Sequence, residues 1–381
     1  MTKSLIKTIN LISLVATKRK TYRFLFAGGG TGGHLFPAVA VAEKIRIMIP
    51  EADILFVGTK SKIEGSVVPK LGFKFKPIWI KGFSRKLNFD NFLFPLKLIV
   101  SVFQSIFINI NYKPLVAIGS GGYVSGPAIF GSNLIGAKII LLEQNSYPGV
   151  TTRLLERYAD EIHISFEDSK KYFKDKKKLL LTGNPVRENL SLINKNEALK
   201  EFNLVDNKKT LLILGGSLGA ASINEAVAEA IEKLVDKDIQ IIWQTGKNYY
   251  DKYKMFVQDN VLVKPFIESM NSAYSACDLL ISRAGATTIA EVTALSISAV
   301  LVPSPNVAEN HQYYNAKSLA DKNAAVLVED KNLKDEIAGI VINLIFNDEK
   351  LENLKTNAGS LSKRNATSII ANNIIKYTKS V

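Results

Sequence analysis

A single cysteine, Cys277, stands in 381 residues, so neither a disulfide framework nor a thiolate zinc cluster can be assembled. One lone thiol fits a reducing compartment. Histidine is almost as scarce, with 3 in the chain, and no two of them have the spacing of metal ligands. No obligatory metal site is therefore expected from the side chains. Acidic residues are in deficit too: 35 Asp and Glu stand against 49 Lys and Arg, leaving a net charge of +14. Such an imbalance favours an anionic partner, whether a phosphate-bearing substrate, an acidic lipid surface or a nucleic acid. No nucleic-acid motif with interleaved aromatics is present, so no nucleic-acid partner is expected. A membrane-spanning run is missing as well, because Pro95 and Lys97 interrupt the most apolar stretch, Phe92 to Ile108, and leave it short of the roughly 20 residues a bilayer needs.

What is present is globular: 47% hydrophobic and 22% charged residues, in a chain long enough for two or three domains, each with its own core. Residues 1–21 are expected to be an appended basic extension. Thr17, Lys18, Arg19 and Lys20 follow its apolar part where a signal peptide would carry small residues. From Tyr22 onward a short apolar run, a glycine turn and an apolar-periodic helix recur. The runs are RFLFAGGG at 23–30, DILFVG at 53–58, LVAIGSGG at 115–122, KIILLEQN at 138–145, TLLILGGS at 210–217, IQIIWQTG at 239–246, DLLISRAG at 278–285 and AVLVPSP at 299–305. This alternation predicts an α/β protein with parallel strands. The turns at Gly28 and Gly215 open the two halves alike, which predicts two Rossmann-like domains in tandem. The boundary is expected between Gly183-Asn184-Pro185 and the Lys- and Asn-rich stretch at 194–209. A last helix from about Lys363 to Tyr377 lays Ala366, Ile369, Ile370, Ile374 and Tyr377 along one stripe that needs a docking surface.

Gly28, Gly30 and Gly33 satisfy G-x-G-x-x-G directly after a strand, a pattern that lets backbone amides and a helix N-terminus approach a phosphate. A dinucleotide fold would carry an acid after the second strand, but Thr59, Lys60 and Ser61 stand there, which disfavours a dehydrogenase. Further glycine turns at Gly119–Gly122 and Gly215–Gly219 suggest several anion-sized nests facing one cleft; each could instead only permit a tight turn. His34, at the entrance of the first helix beside Pro37, suits a general base kept neutral by the helix dipole, or a ring that caps its own loop. His163, in the apparent strand EIHISF, reads as structural. Glu291, one turn into the helix after SRAGATT, could take the two hydroxyls of a ribose or merely offset the dipole. Asn310, His311, Gln312 and Asn315 supply polar groups at another helix start.

Together these blocks carry a resemblance. GGGTGGHLFPAVAVA at 28–42, GSGGYVSGPA at 119–128, LEQNSYPGVTTRLL at 142–155, GNPVR at 183–187, GGSLGA at 215–220, SRAGATTIAE at 282–291 and ENHQYYNA at 309–316 lie in both halves. The chain resembles the glycosyltransferases of family 28, bacterial enzymes that add N-acetylglucosamine to undecaprenyl-pyrophosphoryl-muramoyl-pentapeptide. The resemblance implies a GT-B fold, two Rossmann-like domains facing across a cleft. Residues 22–186, completed by the helix at 363–381, would form the acceptor and membrane-associated domain, and 187–362 the UDP-N-acetylglucosamine domain. It implies no obligatory cofactor, the donor UDP-N-acetylglucosamine, the lipid-linked muramoyl-pentapeptide (lipid I) as acceptor, and an anionic inner-leaflet surface as partner, hence a peripheral position on the cytoplasmic face of the inner membrane.

Carried onto this sequence, Thr31, Gly32, Gly33 and Asn145 would reach the donor sugar and phosphates from the N-terminal side. Arg187 and Ser217 would meet the phosphates and Ile267 the uracil. Ala286, Thr287, Thr288, Ile289, Ala290 and Glu291 would cradle the nucleoside, with Glu291 on the ribose, and Gln312 or His311 would contact the donor. Leu218 departs from the family pattern, in which a glutamine follows the serine. His34 is the candidate base and Glu143 a lesser one, as base or acceptor ligand. The segment with Phe92, Phe94, Lys97 and Phe103, readable by itself as a core helix, corresponds to the family's membrane-resting surface. A related glycosyltransferase acting on diacylglycerol, and an idle UDP-sugar-binding scaffold, are the competing readings.

Overall fold

Apolar residues run almost unbroken along the central strands because helices cover both faces of each parallel sheet. The computed structural model describes residues 22–82, 92–186, 189–216 and 218–379. The proposed extension at 1–21 lies outside the described residues. Strands β1 (Arg23–Ala27), β2 (Asp53–Gly58), β3 (Lys74–Pro77), β4 (Val116–Gly119), β5 (Lys138–Glu143), β6 (Glu161–Ile164) and β7 (Leu179–Leu181) form one sheet, in the order β3-β2-β1-β4-β5-β6-β7. A second sheet takes β8 (Thr210–Leu214), β9 (Gln240–Gln244), β10 (Val261–Lys264), β11 (Leu279–Arg283), β12 (Ala299–Val302) and β13 (Val326–Leu327), in the order β10-β9-β8-β11-β12-β13. Every neighbouring pair is parallel.

The two sheets repeat one winding pattern. In each, the order reverses beside the first strand, between β1 and β4 and between β8 and β11, with Phe24 beside Val116 and Leu211 beside Leu279. Such reversal points open a crevice at the carboxyl ends of the strands, where α/β sheets bind ligands. All eight strands expected from the sequence are present. The unanticipated β3, β7, β10 and β13 are the four sheet edges, where one side faces solvent and no long apolar run is required.

The last helix, Ala366–Lys379, returns to the first sheet. Ile370, Ala371 and Ile374 pack into the core formed by Phe24, Phe26, Leu35 and Ile45. Ile369, expected on the buried stripe, is exposed, and Ala371 takes its place. The reason is room: a small side chain lets the helix sit close to Gly32–Met48, its main helical neighbour.

Candidate active site

Four helices begin at the two reversal points: Gly32–Met48 after β1, Ser125–Leu134 after β4, Ala221–Val235 after β8 and Ala286–Leu295 after β11. None has a side-chain cap or an acidic residue in its first turn. Their orphan amides and positive dipole ends therefore stay open to an anion.

His34 is the third residue of the first of these helices. Its Nδ1 lies 3.0 Å from the Ser120 carbonyl oxygen and 3.4 Å from Oε1 of Gln144. A carbonyl only accepts, so in the neutral ring Nδ1 holds the proton and Nε2 keeps its lone pair. The Ser120 hydroxyl returns a bond to the His34 carbonyl at 2.8 Å. Gly121, at φ +96°, makes this approach possible, since a Cβ there would lie 2.6 Å from Nδ1. Burial holds the imidazole below its ordinary pKa; Gln144 raises it, the neighbouring His311 lowers it, and Ser120 and Glu64 raise it. Burial, rather than the helix dipole named from sequence, is thus the leading cause.

Across the crevice, His311 opens the helix His311–Ala320, with Nδ1 2.8 Å from the Ala308 carbonyl. Burial lowers its pKa too. Oε1 of Gln312 accepts from the Ser304 amide at 2.9 Å, so that oxygen already holds the turn after β12. Asn315, fully buried on the same helix, donates to Oδ1 of Asn145 at 3.1 Å and accepts from the Ser146 amide at 2.8 Å. Arg153 pairs with Glu309 at 2.7 Å, and Tyr147 stacks on Tyr314 with centroids 5.2 Å apart. Glu309 and Asn310 both adopt left-handed backbone, at φ 51° and 52°, a conformation that costs of order 1 kcal/mol or more per non-glycine residue.

Glu143 is buried at the end of β5, and its carboxylate is occupied by its own loop. Oε1 accepts from the Asn145 amide at 3.0 Å and Oε2 from the Gly149 amide at 3.1 Å. Burial raises its pKa to about 7 against these bonds. Thr31 and Gly33 are exposed at the first helix start, with Gly32 partly so.

On the second sheet's side, Thr287 and Thr288 are partly exposed, whereas Glu291 is buried and its Oε2 accepts from the Tyr274 hydroxyl at 2.7 Å. Ala286, Ile289 and Ala290 line a cavity of about 160 Å³ shared with Asn184 and Val186. The Ile267 side chain lies in the core and its amide donates to Gln244 Oε1 at 2.8 Å. Arg187 and Ser217 lie outside the described residues. Leu218, the next residue in sequence after Ser217, is 66% exposed. Among the described residues no group of three or more His, Cys, Asp or Glu is placed to hold a metal ion.

Sequence reasoning passed over Glu64, Gln144 and Tyr274. Gln144 stands in the quoted block between Glu143 and Asn145, whereas Glu64 and Tyr274 touch singled-out residues only through tertiary contact and no motif spacing marks them.

The helix Phe94–Tyr112 turns conventional amphipathicity inside out. Lys97, Ser101, Ser105 and Asn109 are buried, one per turn, and the Ser132 hydroxyl donates to Oδ1 of Asn109 at 2.7 Å. Phe103 is 68% exposed, and Phe92, Leu96, Ile99, Phe107 and Ile110 are exposed with it. By length and composition this 19-residue helix could cross a bilayer, more than the sequence suggested. Its polar inner face is packed on the helix Ser125–Leu134, however, so only the outer face is available to lipid. Phe94 is partly buried. Lys97, expected to meet the membrane, instead points inward beneath the Trp79 ring, 5.8 Å from its centroid, because it shares the inner face at four-residue spacing.

Two similarly wound parallel sheets, each with helices beginning at its reversal point, make up the GT-B fold. The glycosyltransferase family 28 N-terminal domain matches residues 24–164 and the family 28 C-terminal domain residues 210–372, and the chain belongs to this family. A relative from Flavobacterium psychrophilum is 41% identical over 94% of this chain and 98% of its own length. One from Clostridioides difficile is 41% identical over 94% of this chain and 90% of its own. Both are named UDP-N-acetylglucosamine--N-acetylmuramyl-(pentapeptide) pyrophosphoryl-undecaprenol N-acetylglucosamine transferase. The crystal structure of Acinetobacter baumannii MurG, 28% identical, superposes with a TM-score of 0.77 over 93% of this chain and 99% of that one. The kitacinnamycin glycosyltransferase, 14% identical with a TM-score of 0.69, shares the fold.

Proposed function

We propose that the protein transfers N-acetylglucosamine from UDP-N-acetylglucosamine to the C4 hydroxyl of lipid-linked N-acetylmuramoyl-pentapeptide, converting lipid I to lipid II in peptidoglycan synthesis. The observation that carries this reading is His34, its Nδ1 tied to Ser120 and its Nε2 left basic at the reversal point of the first sheet. The hydroxyl attacks the anomeric carbon from the face opposite the diphosphate, and its proton goes to Nε2. The bond from that carbon to the diphosphate oxygen breaks and its electron pair leaves with UDP, so configuration inverts. The negative charge that develops on UDP falls to the amides near residues 217–220 with Arg187, the type of preorganised stabilisation that lowers such barriers most.

In this reading Thr31, Gly32, Gly33 and Asn145 line the sugar and phosphate side. Residues Ala286, Thr287, Thr288, Ile289, Ala290 and Glu291 hold the nucleoside with Ile267 at the uracil, and Gln312 or His311 contacts the donor. The acceptor and membrane surface belong to 22–186 with the last helix, and the donor to 187–362. The enzyme rests peripherally on the anionic cytoplasmic leaflet through Phe92, Phe103 and their exposed neighbours. Radiolabelled UDP-N-acetylglucosamine, offered with the lipid-linked muramoyl-pentapeptide or with diacylglycerol, tests the assignment. Label entering the muramoyl lipid supports it. Label entering only diacylglycerol, or UDP released in neither case, overturns it.

A further inference from the structure

Glu64 is 1% exposed, on the helix Ile63–Lys70 that follows β2. Its Oε2 accepts from the Gly30 amide at 3.0 Å and its Oε1 from the Thr59 amide at 3.0 Å. One carboxylate thus joins the turn after β1 to the turn after β2. The fit is close: a Cβ on Gly29 would lie 2.4 Å from the Glu64 carboxyl carbon. Among the described residues no cation pairs with it, so backbone donors and the start of its own helix hold the charge. A buried charge balanced only by amides keeps much of its field. Glu64 raises the His34 pKa as the smallest of the influences on that ring, and it also raises that of Tyr123, where burial is the larger cause. The ring of His34 is bonded by the neutral Ser120 carbonyl and Gln144, and Glu64 and His311 are the titratable groups that act on it. Tyr123 faces Glu64, Thr59 and Lys81.

We propose that Glu64 is a positioning residue for the transfer: its carboxylate fixes the Gly28–Gly33 turn that carries His34, and its charge stabilises the His34 imidazolium formed when the acceptor hydroxyl gives up its proton. This rests on the reading of His34 as the base. A carboxylate buried at this point does two jobs that an amide cannot. It accepts an N–H on each of its two oxygens, and its negative charge favours the imidazolium that develops on His34.

The test compares the full-length wild type with Glu64→Gln and Glu64→Asp. With only 3 histidines in the chain, imidazole NMR titration resolves each ring. In Glu64→Gln the His34 titration should move to lower pH. The acid limb of the kcat profile should move the same way, with kcat about tenfold lower and the KM for UDP-N-acetylglucosamine within twofold. Glu64→Asp, which keeps the charge, should restore most of the His34 titration, and it decides the matter if Glu64→Gln does not fold. Unchanged His34 titration in folded Glu64→Gln overturns the proposal, and so does a shift in Glu64→Asp as large as the one expected for Glu64→Gln. The two readings fail separately: near-normal turnover in His34→Ala removes the base, whereas the titration reports on Glu64 whatever His34 does in turnover.

Discussion

Asn315 donates from Nδ2 to Oδ1 of Asn145 at 3.1 Å while its own Oδ1 accepts from the Ser146 amide at 2.8 Å. A single amide side chain on the second sheet's helix thereby satisfies two groups on the first sheet's loop, and its third bond, to the Ala284 carbonyl at 3.3 Å, ties in the turn after β11.

Asn315→Ala should therefore strand the Asn145 carbonyl and the Ser146 amide, at a cost of about 1–3 kcal/mol for each buried group left unpaired. The thermal midpoint should fall and the KM for UDP-N-acetylglucosamine should rise more than kcat falls. A midpoint and KM equal to the wild type would show that the bridge contributes nothing to the crevice.

His34→Ala should lower kcat by about 10²- to 10⁴-fold with little change in donor KM. In the wild type the base must be neutral. Burial holds the His34 pKa below its ordinary value of 6.5, so activity should persist below that pH and fall only as pH drops through the lowered value. A kcat profile whose acid limb lies above 6.5 would assign the limb to another group.

Glu143 titrates the opposite way. Its carboxyl is raised from 4.5 to about 7 by burial, so the folded protein binds this proton more tightly than the unfolded chain does. Between those values its contribution to stability declines as pH rises. Glu143→Gln removes that component, and the difference in melting midpoint between wild type and variant should narrow from pH 4.5 to pH 7. A constant difference across the window would contradict the assignment.

The outward face of the helix Phe94–Tyr112 should carry membrane binding. Phe103→Glu with Phe107→Glu removes two exposed rings and adds charge repelled by anionic lipid, which should weaken sedimentation with phosphatidylglycerol-containing vesicles by on the order of tenfold or more. The melting temperature should stay unchanged, because both rings project from the fold. Equal vesicle binding by the double variant would move the membrane surface elsewhere.

How much of this was readable beforehand differs between elements. The central strands were legible because burial on both faces forces an unbroken apolar run, as in Thr210–Leu214, where every residue is buried. The edges were not, since Lys74–Pro77 alternates charge with a single ring and looks like a loop. The helix Phe94–Tyr112 was legible as apolar and basic, but which face would be inside was not. Periodicity alone favours the apolar face inward, and the packing of Asn109 against Ser132 reverses it.

The sequence by itself determined the two-sheet α/β architecture, the glycine turns that leave helix N-termini uncapped, and the family, because these depend on local backbone freedom and short-range pattern. Only the tertiary structure decided that Glu143 serves its own loop, that Glu64 underlies the first glycine turn, that Lys97 faces inward and that Asn315 joins the two halves. Hydrogen bonds and charges act through space between residues tens to hundreds of positions apart, and no spacing rule along the chain records which of them will meet.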